Sequence, residues 1–175
     1  MSGFIELVKA ILTLFAKSAK PSQADIPKKA GDTMKPDPIK PKLEVQYKDP
    51  TRHLVEIEQL KVDNPGLMYV LEFIRNFSQN TYNKEVTVTM ILRTEAEQDH
   101  LYRNSTKYKA KKFRSPHQFG QAIDLRSKTF TIQEIDALVN ATNNTFNSTN
   151  AYKPTAMYHD IGSGLHFHIQ YVRKG

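Results

Sequence analysis

The chain has 175 residues, of which 39% are hydrophobic and 25% are charged, a balance that allows a folded core. It contains 25 lysines and arginines against 18 acidic residues, for a formal net charge of +7, and it has no cysteine. The absence of cysteine excludes a disulfide scaffold, a thiolate zinc site and a cysteine nucleophile. No run of about 18 apolar residues occurs, so the sequence predicts no ordinary transmembrane helix. Any chemistry must therefore come from histidine, carboxylates, arginine, hydroxyl groups or a metal held by nitrogen and oxygen.

The first quarter of the chain differs in composition from the rest. Residues 1–42 carry eight lysines against four acidic residues, and they hold five of the nine prolines. Apolar side chains recur at helical spacing within residues 1–18, which predicts an amphipathic N-terminal helix. Residues 19–42 are predicted to form a Pro/Lys-rich extended linker, and residues 43–175 the folded domain.

The role of the N-terminal helix stays open. Such a helix can pack on its own domain or on a second copy of the chain. Residues 4–17 could instead contact a membrane surface, or a virion or another particle. A signal peptide is a further alternative, although charged residues interrupt the apolar run and no A-x-A cleavage site follows.

Three helices are predicted in the folded region from their start signals. Asn64 followed by Pro65 is typical of an N-cap and a first helical position, and apolar residues continue at helical spacing to about Ser78. Thr94 and Thr131 each begin a capping box, which predicts that a helix follows each threonine.

Four strands are predicted from alternating or short apolar runs, over residues 86–92, 121–126, 152–158 and 165–172. A turn around residues 161–164 would join the last two strands. Together with the helices, this pattern predicts an α+β fold with a small antiparallel sheet and flanking helices.

Two segments combine residues that are suited to binding a metal. The first runs Ser115-Pro-His117-Gln-Phe-Gly-Gln-Ala-Ile-Asp124, and the second is His166-Phe-His168. Alternate residues of a strand face the same way, so both histidines of the second segment can reach one small site. Zinc in catalytic sites favours three protein ligands and an open position for water, whose pKa it lowers toward neutrality. A His-x-His pair alone is common on solvated strand faces, so the prediction depends on the combination.

The pattern Ser-x-His-x-x-Gly-x-Ala-x-Asp followed by His-x-His resembles the zinc D-Ala-D-Ala carboxypeptidases and L-alanyl-D-glutamate peptidases of phages and bacteria. The resemblance covers roughly residues 86–172 and implies the hedgehog/DD-peptidase fold. It implies that His117, Asp124 and His168 are the zinc ligands and that Ser115 is the serine that opens the motif. It also implies that His166 acts in catalysis without binding the zinc ion.

Arg93 follows the first predicted strand, and Gln98 lies one turn into the next helix. In the family a similarly placed arginine and glutamine lie beside the site, so the resemblance implies that Arg93, Gln98 and Ser115 bind substrate. A guanidinium can form a bidentate pair of hydrogen bonds with a carboxylate.

Many family members carry an acid three residues before the last zinc histidine, but Leu165 occupies that position here. Proton transfer is therefore assigned to His166, whose imidazole titrates near neutral pH.

The other histidines are assigned less specific roles. His159 and Asp160, just before the last strand, could face the site as supporting partners, and a packing role for His159 is equally open. His53 and His100 lie outside the motif and are predicted to be structural or solvated.

The sequence therefore predicts a zinc-dependent peptidase that cleaves peptidoglycan stem peptides containing D-amino acids, as a carboxypeptidase or an endopeptidase. Its place of action would be the bacterial cell wall, reached by export, by lysis or on a virion. One alternative, favoured by Leu165, is a non-catalytic zinc-containing module that binds cell wall or a partner. Another is a nucleic-acid binder, suggested by basic and aromatic residues at 107–114. A basic rim facing a carboxylate-rich polymer explains that segment as well, so no specific nucleic acid is expected.

Overall fold

The computed structural model describes residues 45–160 and 164–175. The predicted N-terminal helix and linker lie outside the described residues, and so do residues 161–163 of the predicted turn. No helix within the described ranges is long and apolar enough to cross a membrane. The elements in chain order are β1 Gln46–Tyr47, α1 Pro50–Asp63, α2 Pro65–Tyr82, β2 Thr87–Met90, α3 Glu95–Leu101, α4 Thr106–Ala110, a 3₁₀ helix Pro116–Phe119, β3 Ala122–Leu125, α5 Ile132–Phe146, β4 Ala156–His159 and β5 His166–Gln170.

The five strands form one sheet in the order β1-β2-β3-β5-β4. β1 runs parallel to β2, and every other neighbouring pair is antiparallel. The α+β class, with a small sheet and flanking helices, is therefore confirmed, whereas the expectation of a wholly antiparallel sheet is wrong at one edge. The chain passes through α1 and α2 between β1 and β2, and a connection of that length permits parallel pairing, which a tight hairpin does not.

Helices α2 and α5 cover one face of the sheet, and the site lies on the other face. α2 packs against β5, α5 packs against β4, and the two helices contact each other. Ile123 and Leu125 of β3 and Phe167 of β5 belong to the buried core. Because successive residues of a strand point to opposite faces, Asp124 and the histidines on either side of Phe167 face away from that core.

The three predicted helix starts are confirmed. Asn64 caps α2, and Pro65 is its first residue. Thr94 and Thr131 form complete capping boxes at the starts of α3 and α5. Each box satisfies N–H groups that would otherwise lack a partner in the first turn.

Strand β4 begins at Ala156, later than predicted. Pro154 has no N–H to donate to a neighbouring strand. The N–H of Thr155 donates instead to the side chain of Asn147 at 2.9 Å. Loop contacts of this kind hold the residues before β4, and the paired residues of the β4–β5 ladder begin with Ala156 and Ile169.

Candidate metal centre

His117 lies in the one-turn 3₁₀ helix. Ser115 caps this turn, and its N–H donates to the side chain of Gln118 at 2.9 Å. The imidazole of His117 is buried, with only 1% of the residue exposed. Its Nδ1 lies 2.9 Å from the carbonyl oxygen of Ile91. A carbonyl oxygen can only accept, so Nδ1 carries a proton, and in the neutral ring Nε2 presents its lone pair to the site.

Gly120 ends the 3₁₀ turn with φ +62°, and a Cβ added there would lie 3.0 Å from Cδ2 of Leu60. We expect Gly120→Ala to lower the free energy of unfolding by about 1–2 kcal/mol, because an L residue is strained in the left-handed region. Urea unfolding measures the loss. Gly175→Ala is the control, since its Cβ would meet open space. Equal stability of the two variants would contradict the expectation.

Asp124 lies at the centre of the site. It pairs with His168 across the β3–β5 ladder. Its Oδ1 is 2.7 Å from Nδ1 of His168, 3.2 Å from Nε2 of His117 and 3.5 Å from Nε2 of His166. All four residues are buried, with at most 8% of each exposed. One carboxylate oxygen therefore faces three imidazole nitrogens in an enclosed space.

The contact between His117 and Asp124 needs a cation. Nε2 of the neutral His117 ring has no proton to offer Oδ1, so either a second proton on the ring or a metal ion must lie between the two atoms. Burial alone would raise the pKa of Asp124, but the adjoining rings of His117 and His168 outweigh it and hold that pKa well below its usual range. The carboxylate is therefore ionised, as a metal ligand must be.

The other oxygen of Asp124 faces Arg93. Nη2 of Arg93 lies 3.8 Å from Oδ2, while Nη1 donates to Oε1 of Gln98 at 3.1 Å and reaches the hydroxyl of Ser115 at 3.5 Å. Gln98 is only 1% exposed, so it supports the guanidinium from the protein interior. The structure thus brings Arg93, Gln98 and Ser115 together beside Asp124. Their contact with a substrate stays a prediction.

His166 has a defined orientation. Its Nδ1 donates to the carbonyl oxygen of Gly164 at 2.8 Å, which leaves the lone pair of the neutral ring on Nε2. That Nε2 is buried and has no hydrogen-bond partner within the described part of the chain. Asp160 accepts from the N–H of Gly164 at 3.0 Å, so it supports the site through this backbone contact.

His159 faces the same cluster. Its ring centroid lies 4.9 Å from that of His166 and 5.3 Å from that of His168. Burial, followed by the proximity of His168 and His166, lowers the pKa of His159 and favours its neutral form.

Two groups of side chains could hold a metal ion. One is His117, Asp124 and His168, all buried, and the other is His159, His166 and His168. In each group the candidate ligand atoms lie within 4.8 Å of one another. The first group coincides with the three predicted ligand positions, and its two nitrogens and one oxygen suit a late divalent transition metal.

A groove of about 780 Å³ opens along this cluster, and Arg93, Asp124 and His166 are among the residues that line it. Its walls also carry three exposed cations that the sequence analysis missed: Lys48, Arg126 and Lys128. None of these three has an ion-pair partner among residues 45–160 and 164–175.

The place of Arg126 beside the site could have been predicted from the sequence, since it lies two residues after Asp124 and so points to the same face. The position of Lys48 depends on β1, which was not predicted.

Arg52 of α1 fixes the backbone that precedes Arg93. Its guanidinium donates to Glu56 at 2.7 Å, to Glu97 at 2.6 Å and to the carbonyl oxygen of Leu92 at 2.6 Å. Glu56 also accepts from the N–H of Leu92 at 3.4 Å. The network therefore ties α1 and α3 to the end of the segment that carries Arg93.

The hydrogen bond from Arg52 lowers the pKa of Glu97 from an ordinary 4.5 to about 2. A carboxylate with a lowered folded-state pKa adds stability above its unfolded-state pKa and loses it as the pH falls through the folded value. We expect Glu97→Gln to lower the free energy of unfolding by about 0.5–1 kcal/mol at neutral pH, because the pair is partly exposed. The difference from wild type should fade as the pH falls from 4.5 toward about 2.

Urea unfolding at several pH values measures this dependence. Glu95→Gln is the matched control, because Glu95 is an exposed acid on the same helix. A pH-independent difference between wild type and Glu97→Gln would contradict the assignment to the ion pair.

The remaining sequence signals have structural uses. His53 is buried, and its ring centroid lies 6.3 Å from that of Tyr47, whereas His100 is exposed. In the basic segment 107–114, Tyr108 is buried and packs on Phe113 at 5.1 Å between ring centroids. The Tyr108 hydroxyl donates to Asp99 at 2.6 Å, so this ring is engaged within the fold.

All seven residues predicted for the site, from Arg93 to His168, thus lie in one cluster around Asp124. Three are candidate ligands, His166 and Arg93 flank them, and Gln98 and Ser115 hold Arg93 in place. Comparisons of the chain with protein-family models, with curated proteins and with solved structures find no match.

Proposed function

We propose that the chain is a zinc-dependent peptidase of the hedgehog/DD-peptidase type, and that it cleaves peptidoglycan stem peptides containing D-amino acids. The observation that carries the proposal is the convergence of His117, Asp124 and His168 in one buried cluster beside His166, whose Nε2 has no partner among the described residues. Zinc in such a donor set supplies Lewis acidity, which activates water and polarises a peptide carbonyl.

The residues of the cluster fit a zinc ion. Nδ1 of His117 donates its proton to the carbonyl oxygen of Ile91, which leaves the lone pair of Nε2 directed toward Asp124. Metal-binding histidines usually donate their other N–H in this way, because the contact fixes the ring and its tautomer. The ionised Asp124 supplies the anionic donor, and Nδ1 of His168 lies 2.7 Å from it.

The orientation of His166 supports a role in proton transfer. Its Nε2 carries the lone pair of the neutral ring, and His166 lines the same groove as Asp124. It would take a proton from the attacking water and return it to the leaving amine, two transfers for which an imidazole is suited near neutral pH. Leu165, at the position of the family's acid, is 57% exposed on the groove wall, so no carboxylate competes for this role there.

The charge of the groove supports an anionic substrate. Arg93 lies next to the metal cluster, and Lys48, Arg126 and Lys128 lie further along the walls. Stem peptides carry several carboxylates, from D-glutamate, from the diamino acid in some walls and from a terminal D-alanine. Several cations along one groove raise the local concentration of an anionic peptide and help to orient it.

We expect the double change Arg126→Gln and Lys128→Gln to raise KM for muropeptides by about 3- to 10-fold and to leave kcat largely unchanged, because exposed charge pairs contribute about 0.3–0.7 kcal/mol each. The effect should shrink at high salt. Steady-state kinetics at two ionic strengths measures both parameters. Lys109→Gln is the control, since Lys109 is exposed outside the groove. An equal rise of KM in the control would contradict a role for the groove cations.

The function itself is tested by digestion of purified peptidoglycan. We expect zinc-loaded protein to release new peptide amines, identified by mass spectrometry of the products, and His168→Ala to bind no tight zinc and release none. The products also identify the bond that is cut, whether D-Ala–D-Ala, a D-Ala cross-link or L-Ala–D-Glu. If the zinc-loaded protein releases no amine from any peptidoglycan or muropeptide tested, the peptidase proposal fails.

A non-catalytic zinc module is the second candidate, and Leu165 at the position of the family's acid is the observation that favours it. It predicts tight zinc binding and sedimentation with peptidoglycan without any release of amines. The digestion experiment therefore separates the two candidates in a single series of samples.

A further inference from the structure

His159 and His166 face each other across two antiparallel strands. They form a directly opposed pair in the β4–β5 ladder, so their side chains lie on the same face of the sheet. Their ring centroids are 4.9 Å apart, and that of His168 lies 5.3 Å from that of His159. Candidate ligand nitrogens of these three histidines lie within 4.8 Å of one another.

Two of these nitrogens are buried and unsatisfied. Nε2 of His159 and Nε2 of His166 both lack a hydrogen-bond partner within residues 45–160 and 164–175. Leaving a buried polar atom without a partner has a free-energy cost, because the atom loses its hydrogen bond to water and gains none in return. The cost recurs on two neighbouring imidazoles that face one another, which is the arrangement expected where a bound ligand completes the contacts.

The nitrogen of His166 is in the form that binds a cation. Because Nδ1 donates to Gly164, the lone pair of the neutral ring lies on Nε2. Imidazole nitrogens favour late first-row divalent ions such as zinc, nickel and copper, and they bind magnesium and calcium poorly. The chemistry of the pair therefore selects a soft or borderline divalent cation.

We propose that His159 and His166 bind a second divalent transition-metal ion beside the His117–Asp124–His168 group. This position is weaker than the first, because it offers two imidazoles and no carboxylate, and His168 is shared between the groups. A further consequence rests on the proposed peptidase function. An ion bound to Nε2 of His166 removes the lone pair that proton transfer requires, so excess metal inhibits the enzyme.

Equilibrium dialysis of the full-length, tag-free protein against increasing zinc tests the binding. Wild type should bind about two equivalents, one tight and one at least about 10-fold weaker, as expected for a site with fewer donors and no anionic ligand. His159→Gln should keep the tight equivalent and lose the weak one. His100→Gln, which changes an exposed histidine on the groove wall, should keep both.

Asp124→Asn provides a second arm, because it weakens the first position and retains all three histidines of the other. It should lose the tight equivalent and keep the weak one. A wild type that binds one equivalent at saturating zinc overturns the proposal, and so does a weak phase that survives His159→Gln. Thermal unfolding of the metal-free variants shows whether each protein is folded before dialysis.

The inhibitory consequence is measured separately, as the rate at excess zinc divided by the rate at one equivalent for the same protein. This ratio should fall at least about 5-fold for wild type and remain near one for His159→Gln, since blocking a general base costs far more than that. A ratio near one for wild type overturns the inhibitory role. If wild type has no activity at one equivalent, the peptidase proposal has failed, and the dialysis result for the second ion still stands.

Discussion

Replacing Asp124 by asparagine is expected to lower the affinity of the tight zinc position by more than about 100-fold, because changes to supporting residues alone cost 10- to 100-fold. Asp124 supplies the anionic donor of the cluster, and its Oδ1 is the atom toward which His117, His166 and His168 converge. An amide oxygen at the same position keeps the shape and loses the charge. Competition with a zinc chelator measures the affinity of each protein.

Thermal unfolding gives an independent measurement. Zinc at about 1,000 times its dissociation constant should stabilise the wild-type protein by about 4 kcal/mol, and the variant should show no comparable rise in Tm at that concentration. Asp136→Asn is the matched control, since Asp136 is exposed on α5 and belongs to neither group of candidate ligands. Wild-type affinity in Asp124→Asn would show that the cluster is not the zinc site.

The elements that could be predicted are those whose signals are local. Thr94 and Thr131 each bond to a glutamate three residues later, so the start of each helix is encoded within four residues. The alternation of the last strand is similarly local, and it correctly places His166 and His168 on one face. The parallel pairing of β1 depends on contacts between distant parts of the chain, and no short window contains that information.

Helix α1 could not be predicted from its apolar pattern. Asp49 and Pro50 form the same start signal as Asn64 and Pro65 at α2, but the apolar residues that follow do not recur at helical spacing along one face. Its buried face includes His53 and Glu56, because Glu56 bonds to Arg52 and to the backbone near Arg93. Its exposed face carries several apolar side chains: Leu54, Val55 and Val62. Ile57 and Leu60 are buried on the same face as these polar residues, so the helix lacks the separation of polar and apolar side chains on which such predictions depend.

The candidate ligands could be predicted because they lie on elements of regular geometry. Asp124 and His168 are opposed in neighbouring strands, and His117 is fixed by a capped turn. The supporting contacts could not be predicted in the same way. Arg52 and Glu97 are 45 residues apart, and their pairing depends on how α1 and α3 meet.

The position of Arg93 gives the site a preference for anions once a metal is present. Its guanidinium is buried 3.8 Å from the carboxylate that would bind the ion. Two cations near one carboxylate repel each other, and the repulsion is stronger in a site of low dielectric constant. A substrate carboxylate bound to Arg93 would offset the repulsion between the guanidinium and the metal ion. The same geometry thus connects the metal position with the expected class of substrate.

Replacing His166 by alanine should lower kcat by about 100- to 10,000-fold, the usual contribution of a positioned general base, and leave the tight zinc position filled. The imidazole is oriented by its bond to Gly164, and its Nε2 lies 3.5 Å from Oδ1 of Asp124. Removing it takes away proton transfer but none of the three candidate ligands in the His117–Asp124–His168 group. Steady-state digestion of a purified muropeptide, together with metal analysis of the same sample, measures both quantities.

His100→Ala is the matched control, because it removes an exposed histidine from the wall of the same groove. It should retain wild-type kcat.

Added imidazole should partly restore the rate of His166→Ala, since the free base can enter the space left by the side chain and carry the same proton. A metal-loaded His166→Ala protein that keeps its rate within about 3-fold of wild type would exclude His166 as the base, because such a loss is far below what general-base catalysis contributes. Loss of both zinc and activity would instead assign His166 to the metal, as a ligand within the tight position.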